Sequence, residues 1–338
     1  MNQKVTIYDL AKRLNVSPGT VSRSLNDHAS ISKKTKNKVL TLANELGYRT
    51  NKFAANLRNQ KSNTLGVIVP KLNSYFMSTV LAGIESAASS EGYNLIISQS
   101  LESEAKEIAN TKTLFDSGVD ALLVSLAYET TNYDHFDIFT NRKIPLLFFD
   151  RVLDLNNCTT ILINNEAAGF DATEHLIKQN CKNILHISGS FTRTVYRERY
   201  LGFKKALEKH NLLFSKHQLL ETDLDPTKIE DIIQHIIKSP KKIDGIFVAN
   251  DTIAVQCIKE LQKINYKIPG DIKVIGFNNN PISEIINPSL TTINYPGYEM
   301  GVLAGQSIIN HLNGNINLQS ANSIILKHKL IIRESTLK

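Results

Sequence analysis

The sequence predicts an α/β protein in which a small all-α module precedes a two-lobed core of parallel sheets flanked by helices. Three observations predict this class. Positive charge is concentrated in the first 60 residues, three segments there have helical spacing, and the rest of the chain alternates short apolar strands with amphipathic helices.

The charge distribution separates the two parts. Residues 1–60 carry eleven Lys and Arg residues against three acids, whereas the whole chain of 338 residues has a formal net charge of +7. Concentrated positive charge favours a polyanionic partner such as DNA. On charge alone, a basic surface that only aids solubility is an alternative.

Composition excludes several classes of protein. The sequence has neither a secretory signal pattern nor an apolar run that could cross a bilayer, so we expect a cytoplasmic protein without membrane contact. Cys158, Cys181 and Cys257 are far apart, and this spacing predicts neither a disulfide framework nor a zinc site. We therefore expect no metal and no cofactor.

The N-terminal module begins with two predicted helices and a tight turn. Residues 6–14 predict the first helix, because Thr6 can cap it and apolar residues follow at helical spacing. Ser17 can cap the second helix, and Pro18 then falls at its first position, where its missing N–H is not needed. A third helix is predicted over about 32–46. Three short helices with this turn predict a helix-turn-helix module over residues 1–48.

The front of the second helix explains why it opens with Pro18 and Gly19. That end of a recognition helix enters the DNA major groove, and Gly19 lets the backbone approach bases or phosphates closely. Thr20, Ser22 and Arg23 supply polar groups. Arg23 either reads a guanine through two hydrogen bonds or contacts phosphate alone.

Residues 49–61 form a basic segment that predicts a hinge helix and a linker. A helix of two turns is unstable by itself, because nucleation is costly. Leu57 is its notable apolar residue. It either packs on the core or is inserted between base pairs in the minor groove.

From Leu65 onward, apolar strands alternate with helices in two series, which predicts two similar lobes. The first series is 65–70, 94–99, 121–125, 146–150 and 159–164; the second is 183–188, 217–222, 245–250, 273–278 and 290–295, and late strands lie within 323–335. In open α/β sheets, ligands bind beyond the carboxyl ends of the strands.

These segments resemble a known family. "TIYDLAKRLNVSPGTVSRSLN" and "ISKKTKNKVLTLANELGYRTNKFAANLR" resemble the headpiece of the lactose/galactose repressor family of bacterial transcription regulators. "LGVIVPKLNSYFMSTVLAGIE", "RYLGFKKAL", "DGIFVANDTIAV", "IPGDIKVIGFNN" and "NPSLTTINYPGYEMG" resemble its periplasmic-binding-protein-like core.

The resemblance implies a homodimer that binds a pseudo-palindromic operator in double-stranded DNA under the control of a small, sugar-like effector. It implies an effector-binding core over 62–338. The N-lobe would span about 62–161 and 293–322, and the C-lobe about 162–292 and 323–338. It also implies site residues. Those for DNA are Thr6, Ser17, Pro18, Gly19, Thr20, Ser22, Arg23, Asn26, Ser32, Tyr48, Asn51, Ala54 and Leu57; those for the effector are Tyr75, Phe76, Asp150, Arg199, Asn250, Asp251 and Asn278.

Two positions depart from the family pattern. Asn278 and Asn164 stand where the family usually has aspartates. A carboxylate accepts from two sugar hydroxyls, whereas an amide both accepts and donates. The effector could therefore be an unusual sugar or an anionic ligand, or the cleft could bind no ligand. Asp150, Arg199 and Asp251 are alternatively ion pairs between the lobes.

Two other functions remain as alternatives. The two-lobed core alone suits a solute-binding protein, although the basic headpiece argues against that function. The sequence contains none of the catalytic motifs sought: a Walker loop, Gly-x-Ser-x-Gly, His-Glu-x-x-His or Gly-x-Gly-x-x-Gly. His175 and His186 lie in apolar segments that predict structural roles, so we expect a regulator and not an enzyme.

Overall fold

The computed structural model describes residues 5–48, 61–153, 158–318 and 323–337. The chain divides into two compact units, Met1–Ser62 and Asn63–Lys338. In the described parts of the chain, no helix is both long enough and apolar enough to cross a membrane. The predicted hinge segment lies outside these parts except for Lys61.

The N-terminal unit is built from three helices: α1 (Ile7–Leu14), α2 (Pro18–Leu25) and α3 (Lys33–Glu45). Their apolar faces form a small core made of Leu10, Ala11, Val21, Val39 and Ala43. Three residues connect α1 to α2, which confirms the predicted helix-turn-helix.

Each of these helices begins at a side-chain cap. Thr6 and Asp9 form a capping box, in which the Thr6 backbone N–H donates to the Asp9 carboxylate over 2.8 Å. Ser17 accepts from the Thr20 N–H at 3.1 Å, and Ser32 accepts from the Thr35 N–H at 3.2 Å. Caps of this kind contribute about 1 kcal/mol each.

The larger unit alternates strands and helices along the chain. Its strands are β1 (Thr64–Val69), β2 (Asn94–Gln99), β3 (Ala121–Val124), β4 (Leu146–Phe149), β5 (Thr159–Ile163), β6 (Ile184–Ser188), β7 (Leu219–Glu221), β8 (Gly245–Val248), β9 (Lys273–Phe277), β10 (Thr291–Asn294), β11 (Ser323–Leu326) and β12 (Lys329–Ile331). Its helices are α4 (Tyr75–Ser90), α5 (Glu104–Asp116), α6 (Asp137–Thr140), α7 (Asn165–Lys178), α8 (Thr194–Lys209), α9 (Ile229–Ile237), α10 (Asp251–Lys263), α11 (Ile282–Ile285) and α12 (Gly297–Leu312).

The strands form two six-stranded sheets, one in each lobe. The first has the order β11-β5-β4-β3-β1-β2 and is parallel throughout. The second has the order β12-β10-β9-β8-β6-β7, with only β12 antiparallel to its neighbour. The central strands are buried because helices cover both faces of each sheet, so the predicted fold is confirmed.

The chain passes between the lobes three times, and the last passage corrects a predicted boundary. The C-lobe was expected to take all of residues 323–338. Instead, β11 pairs with β5 of the first sheet, and only β12 joins the second. The tail divides because Ile324 pairs with Ile161 on one side of the passage, while Leu330 pairs with Ile293 on the other.

Other boundaries shift by a few residues. The strand predicted at 217–222 is shortened to β7. The reason is local, since Ser215 and Gln218 form a capping box that turns residues 216–218 into a short 3₁₀ helix. β5 extends the first lobe to 163, beyond the predicted 161, and β10 extends the second lobe to 294, beyond the predicted 292.

Glycines bring one pair of helices into close contact in each lobe. A Cβ atom on Gly301 of α12 would lie 2.0 Å from the Val80 carbonyl oxygen of α4. One on Gly202 of α8 would lie 2.0 Å from the Glu166 carbonyl oxygen of α7. Real atoms do not approach so closely, so each crossing requires glycine.

Candidate functional site

The first candidate surface is the front end of α2. The Ser17 and Thr20 hydroxyls lie 2.9 Å apart, and the Ser17 oxygen caps the helix. Pro18 occupies the first helical position, as predicted. Ser17, Pro18 and Gly19 are exposed, so a surface with few bulky side chains is open to a partner.

Arg23 is the one long cationic side chain of α2. Its Nε donates to the Gly19 carbonyl oxygen at 3.3 Å, which folds the exposed side chain along the helix toward the front end. A Cβ atom on Gly19 would meet only Ser17 Oγ at 3.8 Å and Arg23 Nη2 at 4.0 Å. Crowding within the headpiece therefore does not require a glycine here.

The other predicted DNA-binding residues divide into three groups. Thr6 and Ser32 are exposed caps at the starts of α1 and α3, and Asn26 is the exposed residue that ends α2. Ser22 and Tyr48 are half-buried, and burial raises the pKa of Tyr48, which packs against the headpiece core. Asn51, Ala54 and Leu57 lie outside the described residues.

The second candidate site is a cleft of about 410 Å³ in the larger unit. It lies where strands of both sheets end, as expected for an open α/β fold. It brings together all seven residues predicted to bind an effector: Tyr75, Phe76, Asp150, Arg199, Asn250, Asp251 and Asn278.

Arg199 lies in the second-lobe wall of the cleft and is only 3% exposed. Its guanidinium carbon lies 3.6 Å from the centroid of the Phe277 ring. Nε donates to Asn165 Oδ1 at 2.9 Å, and Nη1 donates to the Ala249 carbonyl oxygen at 3.1 Å. Burial lowers the pKa of Arg199, and these contacts hold its side chain in one place.

Asp150 provides a buried carboxylate on the opposite wall. It accepts a 2.9 Å hydrogen bond from the hydroxyl of Tyr295, which stacks on Phe76 with ring centroids 4.3 Å apart. Burial raises the pKa of Asp150, and the charges of Arg151 and Arg199 oppose this shift.

Asp251 lines the cleft but is directed into the second lobe. It is 1% exposed, and its two oxygens accept from the Thr292 hydroxyl at 2.7 Å and the Asn280 backbone N–H at 2.6 Å. Its geometry therefore suits positioning of the loop that carries Asn278, rather than the predicted contact with an effector.

The two asparagines that depart from the family pattern differ in position. Asn164 caps α7 by accepting from the Ala167 N–H at 2.8 Å, a bond that an aspartate would make equally well. Asn278 follows β9 with a φ of 103° and is half-buried in the cleft wall. Only Asn278 therefore changes the chemistry offered to a ligand.

The alternative of ion pairs between the lobes is wrong for these residues. Among the described side chains, no salt bridge links Asp150, Arg199 and Asp251, although the charges of Asp150 and Arg199 act on each other. The cleft does contain the pair Arg151–Glu102, with Nη1 and Oε2 2.7 Å apart, but both residues belong to the first lobe.

Sequence reasoning missed Glu102, Arg151 and Tyr295 in the cleft wall. A signal for two of them was available, since Arg151 directly follows Asp150 beyond β4 and Tyr295 directly follows β10. Glu102 lies three residues beyond β2. Its pairing with Arg151 depends on tertiary contact, which spacing does not indicate.

The histidines noted in the sequence have structural surroundings. His186 is fully buried between aromatic rings, and burial lowers its pKa to about 3. His175 Nε2 lies 2.9 Å from the Thr336 hydroxyl. In the described part of the chain, no group of three or more His, Cys, Asp or Glu side chains is placed to hold a metal ion.

Comparison with known proteins matches both parts of the chain. Residues 6–51 match the family model of bacterial regulatory proteins, lacI family, and residues 173–336 match a periplasmic binding protein-like domain. The HTH-type transcriptional regulator RegA of Clostridium saccharobutylicum is 32% identical over 339 residues, covering 98% of this chain and 99% of RegA. The chain belongs to the lacI family of bacterial regulatory proteins.

Solved structures extend this relationship. The lac repressor dimer bound to operator and the anti-inducer ONPF has a TM-score of 0.88 at 24% identity, covering 99% of this chain and 100% of that one. It therefore shows the shared fold. A periplasmic binding protein/LacI transcriptional regulator from Alkaliphilus metalliredigens QYMF, complexed with D-xylulofuranose, is 29% identical with a TM-score of 0.69 and covers 82% of this chain and 100% of that one. This lacI-family chain is a DNA-binding transcription regulator.

Proposed function

We propose that this lacI-family regulator is a cytoplasmic, homodimeric repressor whose affinity for a pseudo-palindromic operator is controlled by a small molecule in the cleft. Residues 1–48 bind the major groove, 49–61 form the hinge, and 62–338 bind the effector. The open front of α2, next to an exposed Arg23, is the observation that carries the DNA-binding part.

Exposed apolar side chains on the core support the homodimer. Ile96 and Ile97 lie exposed on β2, which is an edge strand of the first sheet, and Ile282 and Ile285 are exposed on α11. Large apolar side chains in such positions are typical of protein interfaces. A second copy of the chain would cover them and bring two headpieces to one operator.

Control by an effector follows from the two lobes. A ligand shifts an equilibrium between two lobe arrangements only to the extent that it binds one of them better. The cleft touches residues from both lobes, including Asp150 and Arg199. The relative complexed with D-xylulofuranose supports a sugar-like effector.

The role of Arg23 is tested by substitution. Arg23→Ala should weaken binding to the operator by about 1–3 kcal/mol if Arg23 reads a base. Arg23→Lys keeps the charge but cannot form the bidentate hydrogen bond, so it should weaken binding to the operator nearly as much. Fluorescence anisotropy with the operator and a scrambled duplex measures both.

An operator for this test is obtained by selection from random duplexes with the full chain. If Arg23→Ala weakens binding to the operator and to the scrambled duplex equally, Arg23 contacts phosphate and does not read a base. A selection that enriches no sequence at modest salt contradicts the proposed function itself.

Leu57 provides a separate test of the hinge. We propose that it is inserted into the minor groove at the operator centre and kinks the DNA. Leu57→Ala should then reduce the bend angle measured by gel mobility of circularly permuted duplexes, while leaving the thermal unfolding of the core unchanged. An unaltered bend angle rejects the insertion.

A further inference from the structure

The charged side chains of the cleft are mostly paired within the protein. Arg151 is paired with Glu102, and Asp223 with Lys228. Asp251 is satisfied by Thr292 and Asn280, as described above. These groups therefore offer little free charge to a ligand.

Two cations are left without a carboxylate partner. Among the described residues, no carboxylate lies within salt-bridge distance of Arg199 or of the exposed Lys71 at the cleft edge. Arg199 is the stronger candidate because it is buried and held on the face of Phe277. Its Nη2 has no acceptor in the described parts of the chain, so it retains donors for a ligand.

Among the described residues of the second-lobe wall, no carboxylate is free beside Arg199, because Asp223 is paired and Asp251 is hydrogen-bonded. Two amides lie in this wall: Asn278 is half-buried there, and Asn250 uses its Oδ1 to cap α10 by accepting from Ile253 N–H at 2.8 Å. The charge of Asp150 acts on Arg199 but forms no salt bridge with it, so a bound anion would further offset the cost of burying the guanidinium. Arginine also binds carboxylate and phosphate groups through two parallel hydrogen bonds.

The opposite wall suits hydroxyl groups. Asp150 is a carboxylate acceptor there, and the Phe76 and Tyr295 rings stack beside it. The volume of about 410 Å³ is in the range for a molecule the size of a monosaccharide.

We infer that the effector is a polyhydroxylated molecule with one anionic group, a carboxylate or a phosphate, which Arg199 binds while Asp150 accepts from its hydroxyls. The inference rests on the proposed function of the cleft and specifies the class of its ligand. Asn278 serves it by presenting a neutral amide, which does not repel such an anion as a carboxylate would.

Isothermal titration of the full chain tests the inference with matched sets of ligands. Each set contains a neutral sugar, its sugar acid and its phosphate, for example glucose, gluconate, glucuronate and glucose 6-phosphate, and the corresponding pentose and galactose compounds. An anionic member should bind about ten- to a hundredfold more tightly than its neutral partner. The acid and the phosphate are separate arms, so they distinguish the two anionic groups.

Two substitutions separate the anion contact from general damage to the cleft. Arg199→Gln should reduce binding of the anion about tenfold or more while changing binding of the neutral partner little. Asn278→Asp should also weaken binding of the anion, and it should strengthen binding of the neutral sugar. Lys205→Gln is the control, because it removes a positive charge from an exposed position of α8 outside the cleft and should change neither affinity.

The outcomes are distinct. Neutral sugars that bind as tightly as their acids and phosphates overturn the inference but leave control by a sugar in place. An unchanged anion affinity in both Arg199→Gln and Asn278→Asp also overturns it. Absence of binding across all sets contradicts the effector part of the proposed function as well.

Discussion

Replacing Gly202 with alanine is expected to destabilise the core by about 3 kcal/mol or more, because the added methyl group has no space. Its Cβ would lie 2.0 Å from the Glu166 carbonyl oxygen and 2.6 Å from the Phe170 backbone nitrogen. Both are backbone atoms of α7, so no side chain can rotate away, and α7 and α8 must separate. Urea denaturation of the full chain, followed by circular dichroism, measures the loss.

Gly314→Ala is the matched control for this substitution. Gly314 has a φ of 76°, but nothing lies within 4 Å of its Cβ position. Gly314→Ala should therefore lose only the free energy of placing an alanine at a positive φ, which is about 1–2 kcal/mol. Equal losses in Gly314→Ala and Gly202→Ala would show that α7 and α8 are not in the close contact described here.

This helix crossing also bears on function. Gly169 of α7 packs against the backbone of Arg199, and a Cβ atom there would lie 2.2 Å from the Arg199 carbonyl oxygen. The same close contact thus sets the depth of Arg199 in the cleft wall. A variant that separates the helices should lose effector binding before it loses the fold.

The contribution of Asp251 to the stability of the core should fall as the pH rises from about 4 to about 7. Burial raises the pKa of Asp251 to about 7, against an ordinary value near 4 in the unfolded chain. Between these values the folded protein holds a proton that the unfolded chain has released, so stability falls with pH. Each pH unit costs about 1.4 kcal/mol, and the whole interval about 4 kcal/mol.

Asp251→Asn is the variant that isolates this contribution. An amide does not titrate, so the variant should lack the decline, and the difference in unfolding free energy between the two proteins should grow by about 1.4 kcal/mol per pH unit. Subtraction cancels the opposite contribution of His186, whose buried imidazole has a pKa of about 3. A difference that is constant from pH 5 to pH 7 would show that Asp251 ionises normally.

Local signals in the sequence accounted for most of the secondary structure. Thr6, Ser17 and Ser32 predicted the starts of the three headpiece helices, because a cap acts on the N–H groups two or three residues ahead of it. The apolar strands predicted two parallel sheets for a similar reason. The burial of a strand on both faces is visible in its own composition.

The candidate effector site was also largely predictable, since the family resemblance named seven residues that line the cleft, and Asp150 and Asn278 among them directly follow strands. The charge state and the partners of those members were not. Asp150 and Asp251 each lie shortly after a strand in the sequence. Asp251 accepts hydrogen bonds from Thr292 and Asn280, whereas Asp150 faces the cleft. That difference depends on residues 29 to 145 positions away.

The sequence by itself determined the helical headpiece, the two series of strands and the family, because these depend on side-chain type and spacing along the chain. Only the tertiary structure decided which lobe holds the strand Ser323–Leu326, which cleft charges are paired and which glycines lie at helix crossings. The physical reason is that strand pairing, ion pairing and close packing act between segments distant in the chain. Their energies are set by contacts that no local pattern encodes.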